Sequence, residues 1–135
     1  MFYRARIVGI VALLFSSSAI AADGADPVKV WTGTEGICAD WAITWQMTKV
    51  GDGSYTGAAT QYHQGGSCVA KKGDTLTGEV AASISGSTIT ATVSHSDGNK
   101  CTYKGTLQGT HVTGGTQSCA NIPGNSSPWE MTIIP

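Results

Sequence analysis

Three histidines, four cysteines, nine carboxylates and four tryptophans are the side chains here that could do chemistry. A metal centre takes three or four converging ligands, usually with close Cys or His spacing. The histidines (His63, His95, His111) are far apart in sequence, and spacings of 30, 33 and 18 between Cys38, Cys68, Cys101 and Cys119 contain no C-x-x-C pair. No metal and no cofactor are expected. No serine stands in a G-x-S-x-G elbow, no H-E-x-x-H is present, and no Gly-rich phosphate loop joins a strand to a helix. The acids (Asp23, Asp26, Glu35, Asp40, Asp52, Asp74, Glu79, Asp97, Glu130) are scattered, several in turn-like runs where Asp serves the turn first. Glu79 alternates with Val80 and is expected in solvent. No acid–base pair stands out, so no catalytic residue is assigned and the protein is read as not an enzyme.

Two sets remain. An even number of cysteines in a small exported domain reads as a disulfide framework. The aromatic set is Trp41, Trp45, Tyr55, Tyr103 and Trp129. It either fills a core or walls a pocket for a small apolar or flat ligand.

The dominant pattern along the chain is period two. Trp41, Ile43, Trp45 and Met47 alternate with Ala42, Thr44, Gln46 and Thr48. Gly51-Asp52-Gly53 then turns the chain, and Ser54 to Tyr62 returns. The same reading places strands around Leu76–Ile84, Ile89–Val93, Cys101–Leu107, His111–Cys119 and Trp129–Ile133, with a short one near Val28 to Thr32. About eight short antiparallel strands must hide their edges, so an all-β, up-and-down antiparallel barrel is expected, with a β-sandwich as the alternative. An apolar residue, Thr or Lys, then Gly recurs at Tyr55–Gly57, Leu76–Gly78, Tyr103–Gly105 and Val112–Gly114. Glycine inside a strand marks a bend, a bulge or a close approach, so these positions are expected to curve the sheet or to line an interior space.

The strands also order the cysteines. Cys38 and Cys68 flank the open end of one hairpin, and Cys101 and Cys119 that of another. The preferred pairing is therefore Cys38–Cys68 with Cys101–Cys119. Val112 and Cys119 differ in parity, so the second bridge requires a bulge at Gly114–Gly115.

Arg4 and Arg6, the apolar run Ile7–Phe15 and the small residues ending at Ala21 read as an export signal, residues 1–21, cleaved before Ala22, with cleavage between Ala22 and Asp23 as the alternative. The remaining 22–135 form one domain. It has no Arg, six Lys against nine acids, two Leu and seventeen Thr. That composition argues against a helix bundle and against nucleic acid as a partner. No later stretch is long and apolar enough for a helical membrane span. A periplasmic or secreted location follows from this reading.

Gly51-Asp52-Gly53-Ser54-Tyr55-Thr56-Gly57, preceded by the Thr-rich aromatic strand from Trp41, resembles the first hairpin of avidin-like barrels. The resemblance implies a calycin-like barrel. The polar biotin-contact set of that family does not map onto this chain, so no binding residue is carried over. The chain as a whole is similar to small exported proteobacterial proteins of unknown function, which implies a secreted β-domain and no activity. Together these point to an exported, non-catalytic binding protein, either a protein inhibitor or interaction module or a small-ligand carrier. Gln64 to Asp74 and Asn121 to Pro128 are the candidate contact loops. The alternative is a structural or antigenic envelope protein.

Overall fold

The computed structural model describes residues 26–65 and 73–135. They form eight strands: β1 (Lys29–Glu35), β2 (Trp41–Gly51), β3 (Ser54–His63), β4 (Thr75–Ser85), β5 (Thr88–His95), β6 (Lys100–Gln108), β7 (His111–Cys119) and β8 (Ser127–Thr132). Each pairs antiparallel with the next, and β8 closes on β1, giving a closed barrel in sequence order. Every strand thus finds two partners, which removes the free edges an open sheet would expose. β1 is longer than its sequence pattern suggested. It continues past Thr32 to Glu35, because Gly33, Thr34 and Glu35 pair with both β2 and β8.

The alternation holds strand by strand. Ile43, Trp45 and Met47 of β2, Val80 and Ala82 of β4, and Ile89, Ala91 and Val93 of β5 are buried, with polar neighbours outside. The tight turns at 52–53, 86–87 and 109–110 cluster at one end of the barrel. The longer connections leave the strands at the other end, after Glu35, His63, His95 and Cys119.

On β7, Val112 is buried, and after a register shift between Val112 and Gly115 so are Gly115 and Gln117. Gly114 at the shift has φ +59°, a backbone state that glycine enters without steric cost. This bulge restores the parity that lets Cys119 stand opposite Cys101, and the two form a disulfide, Cα–Cα 4.0 Å. Cys68 lies outside the described residues, so the Cys38–Cys68 pairing is left to peptide mapping. Non-reducing digestion is expected to return a Cys38–Cys68 peptide beside the Cys101–Cys119 one, and a cross-linked Cys38–Cys101 peptide would refute the hairpin-end arrangement.

Glycine makes room for the largest side chain of β8. A Cβ at Gly115 would meet the Trp129 carbonyl oxygen and stand 2.6 Å from its indole Nε1 and 2.7 Å from Cδ1, while one at Gly105 would lie 3.4 Å from its ring. The interior space at Gly115 is occupied by that indole, and the space at Gly105 first by the Val112 side chain, whose Cγ1 such a Cβ would meet. Gly115→Ala is expected to cost about 1–3 kcal/mol, the usual penalty for overpacking, and to lower the urea midpoint accordingly.

Candidate functional site

The barrel interior falls into two parts. Through its middle the aromatic side chains touch in sequence. Tyr55 packs on Trp31 (ring centroids 5.1 Å), Trp31 on Trp45 (6.5 Å), and Trp45 on both Tyr103 (5.1 Å) and Trp129 (5.9 Å). Tyr103 and Trp129 close the group at 5.2 Å, edge to face. All five rings are buried. Of the pocket residues expected from sequence, then, Trp45, Tyr55, Tyr103 and Trp129 lie in this packed core. Trp41, half-buried at the start of β2, is the one that borders the cavity at the long-loop end.

That cavity sits at the long-loop end and has a volume of about 440 Å³. Its floor is polar. Glu35 at the end of β1 is only 7% exposed. Tyr103 of β6 donates its hydroxyl to Glu35 Oε2 at 2.6 Å, and Gln61 of β3 donates from Nε2 to Glu35 Oε1 at 2.5 Å. Gln61 also bonds the Tyr103 oxygen at 3.0 Å, closing a triangle across three strands. Burial pushes the Glu35 carboxyl up to about 7, against the opposing pull of its hydrogen bonds to Tyr103 and Gln61; the nearby Asp40 pushes it up further. Burial, and the neighbouring Glu35 charge after it, raise Tyr103, so its phenol stays a donor at physiological pH.

The walls are mixed. Asp40, Leu76, His95 and Gln117 line them, and the lip carries Ile37 from the β1–β2 loop and Ile122 from the β7–β8 loop, 81% and 53% exposed. The candidate contact loop from Asn121 thus borders the cavity through Asn121, Ile122 and Ser127. Most of the other, 66–72, lies outside the described residues.

The histidines part company. His63, the last residue of β3, pairs with Asp40 at 3.1 Å through Nε2 and meets Trp41 edge-on, with centroids 4.7 Å apart. His95, the last of β5, presents a buried Nδ1 with no partner among the described residues. Burial lowers its pKa, which favours the neutral ring. His111 stands at the opposite end, 3.9 Å from Glu130 on the barrel exterior. Among the described residues no three metal-ligating side chains converge. Glu79 is exposed.

Glu35 is the functional candidate that sequence reading passed over, because ending the strand at Thr32 left it among loop acids. The signal was present, since Trp31, Gly33 and Glu35 share one parity. Gln61 follows Tyr55 and Ala59 in the same way. Compared with known protein families, curated proteins and solved structures, the chain matches none.

Proposed function

We propose that this protein is an exported, non-catalytic binding protein that holds a small ligand in the cavity at the long-loop end of the barrel. One observation carries the reading: an open cavity of about 440 Å³ whose floor is a buried, hydrogen-bonded carboxyl and whose lip is apolar. Binding sites combine apolar walls with a few fixed polar groups in this way. The Tyr103–Glu35–Gln61 triangle stands on strands rather than loops, which favours a preformed recognition group. Export rests on the residue 1–21 pattern, and N-terminal sequencing of the mature protein is expected to begin at Ala22.

A second reading has its own support. Ile37 and Ile122 are large apolar side chains exposed on two loops at the same end, and exposed apolar pairs suit a protein partner. Native mass spectrometry of protein purified from its host separates the two. A small co-purifying adduct favours the carrier, and a stoichiometric protein partner lost on Ile37→Asp favours the interaction module. A bare mass, with no thermal shift across a fragment library, would count against the cavity as a ligand site.

A further inference from the structure

We infer that the ligand is a small organic monocation with an apolar body, its ammonium seated on the Glu35 carboxylate and its body against Trp41, Leu76 and the isoleucine lip. This rests on the binding function proposed above and specifies its chemistry.

The charges facing Glu35 decide the sign. From the β1–β2 loop comes Asp40, an anion already engaged by His63 of β3. From β3, β6 and β7 come Gln61, Tyr103 and Gln117, all neutral. β2 and β8 set Trp41 and Trp129 beside it in register. Across the cavity His95 of β5 is held toward its neutral form by burial. Lys100 and Lys104 of β6 are exposed on the outer face, and Glu35 makes no ion pair among the described residues.

Among the described residues, the floor is therefore a carboxyl without a counter-cation. Tyr103 and Gln61 each occupy one lone pair on a different Glu35 oxygen. A carboxylate oxygen accepts more than one hydrogen bond, so both can still take a donor from the cavity side. An ammonium supplies up to three donors and the missing charge at once, and charge-assisted bonds of this kind are the stronger class. Where the carboxyl is ionised, above about pH 7, a neutral ligand would leave the desolvated charge uncompensated, and an anion would meet both Glu35 and Asp40. Trp41 adds a ring at the cavity wall, where a cation is attracted to its face. Because the carboxyl sits at about 7 in the free protein, cation binding below that pH must displace a proton, so affinity falls as the pH drops.

Three probes with one aryl body and different heads test this: 2-phenylethylamine, 2-phenylethanol and phenylacetate, titrated by calorimetry into the whole protein at pH 8.0 and 5.5. The amine is expected to bind at least about tenfold more tightly than the alcohol at pH 8.0, the scale of one compensated charge. It should weaken by about thirtyfold at pH 5.5, the ratio set by a carboxyl near 7. Glu35→Gln should abolish both the head-group preference and the pH dependence. If that variant does not fold, the wild-type ratio of amine to alcohol and its change with pH decide the matter alone. Equal binding of amine and alcohol, or tighter binding of phenylacetate, overturns the cation while leaving the cavity as a ligand site. Binding of none of the three at millimolar concentration counts against the cation and the cavity together.

Discussion

Glu35→Gln is expected to stabilise the protein by on the order of 3 kcal/mol at pH 8 and to leave it nearly unchanged near pH 4. The sign follows from the direction of the shift. The folded carboxyl sits at about 7 against an ordinary value of 4.5, so between those values the folded chain holds a proton that the unfolded chain has lost. Wild-type stability therefore falls as the pH rises through this window, by about 1.4 kcal/mol per unit of displacement. Glutamine removes the ionisation and keeps an oxygen to accept the Tyr103 bond. His95 works in the opposite direction. Its folded pKa is lowered by burial, so its contribution is present above the unfolded value near 6.5 and is lost as the pH falls from there through the lower folded value. That dependence is common to both proteins and cancels in the difference. Urea melts of the two proteins from pH 4 to 8 give the measurement. A difference that stays flat with pH would refute the assignment of Glu35 as a buried, titrating acid. Such a group is a cost that folding alone does not justify, which is why the cavity above it reads as a place where something binds.

Trp45→Ala is expected to lose about 3–5 kcal/mol, the range for deleting a fully buried large aromatic. Trp45 is wholly buried and touches Trp31, Tyr103 and Trp129, so its removal would break the aromatic column at its centre. The neighbours stand on β1, β6 and β8, and a barrel closed by hydrogen bonds has little freedom to collapse into the space. Trp45→Phe should cost far less. The indole Nε1 is buried without a partner among the described residues, and an unmade bond of this kind costs about 1–3 kcal/mol. Phenylalanine gives up volume but also relieves that penalty. Denaturant midpoints for the two variants check this, and equal losses would show that the indole N–H is satisfied in solution. The Alanine variant should also perturb Tyr103, whose ring meets Trp45 edge to face at 5.1 Å, and through it the hydroxyl that holds Glu35.

Much of the fold was legible because a half-buried sheet writes itself in alternation. Trp41, Ile43, Trp45 and Met47 sit on one parity, and turn residues such as Gly86 and Gly109 mark the hairpin ends. Even the β7 bulge could be read, since Cys119 reaches Cys101 only if one residue is added between Val112 and Gly115. The site was harder for two reasons. Glu35 looked like a loop acid because β1 contains two glycine- or threonine-rich steps after Trp31, and its strand character depends on pairing with both β2 and β8. The meeting of Glu35, Gln61 and Tyr103 depends on the stagger of a closed barrel, which brings β1, β3 and β6 to one level though none of the three is adjacent to another. Local pattern carries parity, but not that stagger.

The direction in which the first and last strands run has a practical meaning. β1 starts and β8 finishes at the tight-turn end, with Thr32 and Thr132 side by side, while Glu35 and the cavity lie at the far end. A tether, a tag or a solid support joined ahead of Lys29 or after Pro135 would therefore hang from the base of the barrel and leave its mouth unobstructed, with Ile133 kept in the core and the Ile134 carbonyl on the Trp31 indole. The same nearness would let a short linker join the two ends and the chain be reopened at Gly86–Ser87, again at the base. The protein could thus be anchored or rewired from below without disturbing whatever enters from above.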